Sequence, residues 1–79
     1  MNYRIKTFGI AYDILGGREV NLEVPATTVG ELREALLARY PALQELRSLF
    51  IAVNQSYADD SQGLRPEDEI ALIPPVSGG

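Results

Sequence analysis

The residues best placed to do chemistry are Gly78 and Gly79, at the end of the run Leu72-Ile73-Pro74-Pro75-Val76-Ser77-Gly78-Gly79. After Glu69 no side chain in the sequence carries a charge. Pro74 and Pro75 have no amide hydrogen to donate, so neither extends a strand ladder and the residues beyond them are expected to leave the sheet. Two successive glycines remove side-chain bulk where another protein's channel would close around the backbone. Fully extended, five residues at ~3.3–3.6 Å each carry a carboxylate roughly 17 Å from the domain. That shape suits presentation of the Gly79 carboxylate to a second protein's active site. Gly16-Gly17, by contrast, lies between apolar segments and reads as a turn.

Other centres are excluded or weak. The 79 residues contain no Cys, no His and no Trp. There is therefore no disulfide, no Cys or His zinc site, no thiol nucleophile and no imidazole base. Ser56, Ser61 and Ser77 have no base beside them. Asp59-Asp60 and Glu67-Asp68-Glu69 lack the spacing of an acidic cation loop and read as solvated turns; no metal site is expected. Asp13 reads as an exposed carboxylate. A chain this short buries only about 60% of its unfolded surface, and a pocket of roughly 300 Å³ or more would consume much of the core. The expectation is a binding or carrier module, not catalytic alone and holding no cofactor of its own.

Charge narrows the partners. Eleven acids against seven bases give a formal net charge of -4, which disfavours phosphate backbones and anionic membrane surfaces. No apolar run approaches the ~20 residues of a membrane span. Met1 to Lys6 alternates and has no continuous apolar stretch, so it does not read as a signal peptide. No nucleic acid and no membrane are expected, and the expected address is cytoplasmic.

The elements that must position the tail follow from periodicity. Tyr3, Ile5 and Thr7 share one face of a first strand, with Arg4, Lys6 and Phe8 on the other. Gly9 to Leu15 fits a short helical turn. From Arg18 to Val24 the alternation is clean, with Val20, Leu22 and Val24 inward. Thr28-Val29-Gly30-Glu31 reads as a capping box, in which Thr28 caps the Glu31 amide and the carboxylate reaches back. Val29, Leu32, Ala35, Leu36 and Tyr40 then make one apolar stripe of a helix that Pro41 stops. Leu43, Leu46 and Leu49 suggest another short turn of helix. Phe50 to Asn54 is a strand with Ile51 and Val53 inward, and Asn54 to Tyr57 continues into a neighbouring extended segment. Pro66-Glu67-Asp68 is a tight turn. Glu69 to Pro74 is the last strand, with Ile70 and Leu72 inward.

One amphipathic helix and a mixed sheet are solved most simply by packing the helix across one sheet face. The expected class is α+β and the expected architecture a β-grasp, or ubiquitin-like, fold. Residues 1–74 would form the domain and residues 75–79 a flexible tail. In such a sheet the first and last strands are central neighbours. Phe8 and Ile73 would then form an apolar patch on the open face near the tail, a candidate protein interface.

The ending Ile73-Pro74-Pro75-Val76-Ser77-Gly78-Gly79 resembles that of the small subunit of molybdopterin synthase, the MoaD group of sulfur carriers. Ala52-Val53-Asn54-Gln55 and Pro66-Glu67-Asp68-Glu69-Ile70 also match the group's pattern, and the resemblance spans the whole chain. The thiamin sulfur carriers share the fold and the Gly-Gly end but generally lack the Pro-Pro-Val stem. The resemblance implies that an ATP-dependent activating enzyme of the ubiquitin-activating type adenylates Gly79. A sulfur donor then converts the adenylate to a thiocarboxylate. Pro75, Val76, Ser77 and Gly78 would insert with Gly79 into the large subunit, in an expected heterotetramer. There the sulfur passes to cyclic pyranopterin monophosphate to build the molybdopterin dithiolene. The resemblance adds Tyr57 to Phe8 and Ile73 as an interface residue. A sulfur carrier of another pathway, for thiazole or an amino acid, a ubiquitin-like modifier, and an interaction domain with an inert tail are the alternatives.

Overall fold

The computed structural model describes residues 1–75. The elements in chain order are β1 (Asn2–Thr7), α1 (Ile10–Leu15), β2 (Glu19–Glu23), α2 (Val29–Arg39), a 3-10 turn (Pro41–Glu45), β3 (Phe50–Val53), β4 (Ser56–Tyr57) and β5 (Glu69–Ile73). The strands form one mixed sheet in the order β2-β1-β5-β3-β4. β1 pairs antiparallel with β2 and parallel with β5, and β5 pairs antiparallel with β3. β2 and β3 therefore run the same way with β1 and β5 between them, and α2 lies on the connection that joins them. This is the β-grasp expected from the sequence.

Strand parity sorts the two faces. Tyr3, Ile5 and Thr7 of β1 are buried and Asn2, Arg4 and Lys6 are exposed. In register with them, Ile5 lies opposite Val20 of β2 and Ile70 of β5. Leu72 lies opposite Thr7 and Ile51. Tyr3, Ile5, Ile51, Ile70 and Leu72 of the strands make a single apolar cluster with Val29, Leu32 and Leu36 of α2. The polar members of this core are satisfied: the Tyr3 hydroxyl donates to the Ala26 carbonyl at 2.6 Å, and the Thr7 hydroxyl donates to the Gly17 carbonyl. Burial, then the charges of Asp68 and Glu31, push the Tyr3 phenol above its ordinary value.

α2 begins as the sequence indicates, with one change. Thr28 Oγ1 accepts from the Glu31 amide at 3.2 Å. The Glu31 carboxylate reaches one residue further back than a capping box requires, to the Thr27 amide at 2.8 Å and the Thr27 hydroxyl at 2.9 Å. The next free amides of the helix are taken by a loop: Val29 donates to Gln62 O and Gly30 to Asp60 O, both at 2.9 Å. Gly30 permits that approach, since a Cβ there would lie 3.1 Å from the Asp60 Cβ. At the other end Tyr40 N donates to Leu36 O at 2.8 Å, and Pro41 starts the 3-10 turn.

Asn54 to Gln55 is not an extension of β3. Val53 pairs with Ser56, so the two residues between them form a tight hairpin turn, with φ of 52° and 72°. Positive φ at both central residues is what the right-handed twist of a two-residue hairpin demands. Asn54 is pinned there, its amide side chain donating to Asp68 Oδ1 at 3.1 Å and accepting from the Glu69 amide at 3.0 Å.

Candidate functional site

The face of the sheet opposite α2 carries the outward residues of every strand. Near the end where β5 finishes it is apolar. Phe8, Ala52, Tyr57, Ala71 and Ile73 line a shallow groove of about 380 Å³, with Lys6 and Gln55 at its polar margin. Phe8 is 51% exposed and Tyr57 69% exposed, while Ile73 is half-buried. Away from that end the face becomes charged, with Arg4, Lys6, Glu19 and Glu69 around a small polar hollow. Lys6 Nζ and Glu69 Oε1 are 3.5 Å apart, with both side chains close to half exposed; such a pair contributes at most about 1 kcal/mol. Exposed aromatic and aliphatic groups massed at one end of a face are costly to leave in water and favour a protein partner.

Phe8, Tyr57 and Ile73, the three residues expected to form an interface, meet at this groove. A further exposed aromatic beside them, Phe50, was missed. It lies opposite Ile73 in the β3–β5 register, is 51% exposed, and its ring centroid is 5.4 Å from that of Tyr57. Its signal was available: with Ile51 and Val53 inward, parity sends Phe50 to the open face.

The apolar end of the groove is also the root of the tail. β5 ends at Ile73; Pro74 is buried and Pro75 half-buried. The readings placed on Val76, Ser77, Gly78 and Gly79 lie outside the described residues. The acidic groups have structural work to do. Asp59 accepts from the Ser61 hydroxyl at 2.7 Å and the Ser61 amide at 3.1 Å, and these bonds hold its carboxyl below the usual range. Asp60 pairs with Arg33 at 3.2 Å. Asp68 Oδ2 accepts from the Arg65 amide at 2.9 Å, closing the turn at Pro66. No helix among the described residues is long and apolar enough to cross a membrane.

The chain as a whole is similar to known proteins. The model of the ThiS family matches residues 5–79. A molybdopterin synthase sulfur carrier subunit of Caenorhabditis briggsae is 40% identical over 100% of this chain and 99% of its own length. Among solved structures, the small archaeal modifier protein 1 of Haloferax volcanii superposes with a TM-score of 0.81, at 29% identity and 100% coverage of both chains. A chain from the complex of subunits 1 and 2 of the molybdopterin-converting factor of Helicobacter pylori matches with a TM-score of 0.68, also at 29% identity and 100% coverage of both.

Proposed function

The chain belongs to the ThiS family, and from that premise we propose that it is the sulfur carrier subunit of a molybdopterin synthase. The observation that carries the reading is similarity over the full length to relatives of that name, in a sequence that runs Pro-Pro-Val-Ser-Gly-Gly to Gly79. The groove supports it, because it puts an apolar docking face at the root of the tail.

In this reading the carbon that reacts is the carboxyl carbon of Gly79. A free carboxylate is a poor electrophile, and adenylation by an ATP-dependent activating enzyme of the ubiquitin-activating type supplies a leaving group. Sulfur from a donor displaces that group and leaves a thiocarboxylate, a soft nucleophile that requires no cysteine in the carrier. Phe8, Phe50, Tyr57 and Ile73 dock on the large subunit, in a heterotetramer. Pro75 to Gly79 enter its active site and hand the sulfur to cyclic pyranopterin monophosphate. The cytoplasm, where the activating enzyme and ATP are met, is the proposed compartment.

Incubation with activating enzyme, ATP and a sulfur donor is expected to exchange one terminal oxygen for sulfur, read by intact mass. An unchanged mass with a cognate activating enzyme would overturn the assignment. Deleting Gly79, or adding one residue after it, is expected to abolish sulfur transfer and leave thermal unfolding as in the wild type; an active truncated form contradicts the mechanism.

The likeness to an archaeal modifier protein favours one further reading, in which the activated Gly79 is captured by a lysine amine. Its mark is an isopeptide adduct through Gly79 on another protein. Carrier incubated with activating enzyme, ATP and a sulfur donor, and offered both the large subunit and lysine-bearing proteins, distinguishes the two by which product accumulates.

A further inference from the structure

Pro74 lies beyond the last residue of β5 and has no amide hydrogen, yet it is buried. Next to it lies Gly9, in the turn between β1 and α1. A Cβ built on Gly9 would sit 3.3 Å from the Pro74 Cγ, closer than ordinary van der Waals contact. Gly9 has φ 55° and ψ -135°, a combination glycine adopts without steric cost and other residues do not. The segment behind it is fixed at several points. Ala11 and Leu15 are buried in the core. Tyr12 N donates to Gly9 O at 3.1 Å, and Gly16, left-handed at φ 86°, closes α1 by donating to Tyr12 O at 2.9 Å. Thr7 ties the far end to the sheet: its amide donates to Arg18 O at 2.9 Å and its buried hydroxyl donates to Gly17 O. Gly9 cannot yield to Pro74 without moving α1.

We propose that Gly9 and Pro74 form a bracket that sets the direction in which the tail leaves the sheet. The bracket is a positioning device for the sulfur transfer proposed above, and in that respect it rests on that reading. Its importance comes from leverage. The four residues after Pro75 span up to about 14 Å, so a tilt of about 10° at the root displaces the far end by about 2 Å. Misplacement of a reacting group by about 1 Å can cost roughly a hundredfold in rate. The direction has to be set at the root, and Pro74, with its φ fixed by the ring and its ring held against Gly9, is built to set it.

Two measurements test this. The chain has no cysteine, so spin labels at Glu34→Cys on α2 and Ser77→Cys in the tail report one distance distribution. Pro74→Ala removes the ring contact, and Gly9→Ala forces bulk into it. Each is expected to shift or broaden the distribution; Pro74→Ala keeps the test open should Gly9→Ala fold poorly. A distribution unchanged in Pro74→Ala overturns the bracket, whatever the protein's partner. The second measurement uses thiocarboxylated carrier, free of labels, with the large subunit. Pro74→Ala is expected to bind within about twofold of wild type yet transfer sulfur at least about tenfold more slowly in a single turnover. Equal single-turnover rates, or a loss confined to affinity, would overturn the positioning role. Should the wild type itself transfer no sulfur, the proposed function fails, and the distance distributions alone decide the bracket.

Discussion

The Glu31 carboxylate accepts from the amide and hydroxyl of Thr27, and those bonds hold its pKa below the ordinary value. A carboxyl more acidic in the folded chain than in the unfolded one stabilises the fold above its unfolded pKa. That contribution is lost as pH falls through the folded value. Glu31→Ala is thus expected to lower the thermal midpoint at pH 7, with the gap to wild type closing as the solution is acidified below pH of about 4. A gap independent of pH would mean that the ionised carboxylate is not the stabilising form. On the open face, Phe8→Asp, Phe50→Asp and Ile73→Asp each place a charge where a partner would have to desolvate it. Each is expected to weaken large-subunit binding at least about tenfold, or about 1.4 kcal/mol. Calorimetric titration reads this, and unchanged affinity for all three would remove the groove from the docking surface. The capping-box spacing points the Glu31 carboxylate at Thr28; its reach to Thr27 was not legible, because the path of the chain into α2 is held by long-range contacts, the bridge between Thr28 and Gly63 and the Leu64 amide donating to Thr27 O at 2.9 Å.

Among the elements, the β3–β4 hairpin carries a local conflict. Gln55 holds φ at 72°, a left-handed conformation that costs a residue with a Cβ about 1 kcal/mol and costs glycine little. Gln55→Gly is expected to raise stability by about 0.5–1 kcal/mol in urea unfolding. No gain would show that the turn is not strained at this position. The hairpin was hidden in the sequence because Asn-Gln is not a usual turn pair. What holds it is the anchoring of Asn54 by Asp68 and Glu69, residues distant along the chain. α1, α2 and the other strands were legible because each obeys its own period, 3.6 or 2, and is punctuated by Gly or Pro.

For the whole molecule, a chain of this size is stabilised by roughly 4–12 kcal/mol in total. Leu36 is fully buried between α2 and the sheet, and truncating such a leucine costs about 2–5 kcal/mol. Leu36→Ala is expected to remove a large share of the stability and shift the urea midpoint strongly; a loss under about 1 kcal/mol would mean that the core collapses to fill the space. The sequence alone determined the β-grasp, the two faces of β1, β2, β3 and β5 and the run from Pro74 to Gly79, because strand parity, helix period and missing proline amides are properties of neighbouring residues. It also placed Phe8 and Ile73 on a common surface by strand parity, and the family resemblance added Tyr57 to them. Parity sends Phe50 to the same face, but only the tertiary structure set it beside Tyr57, through a hairpin, and Ile73, through a long-range register. Likewise it alone set Gly9 against Pro74, 65 residues apart along the chain. The parallel pairing of β1 with β5 carries the start of the chain alongside its last strand, and no local pattern encodes which two turns such a pairing will press together.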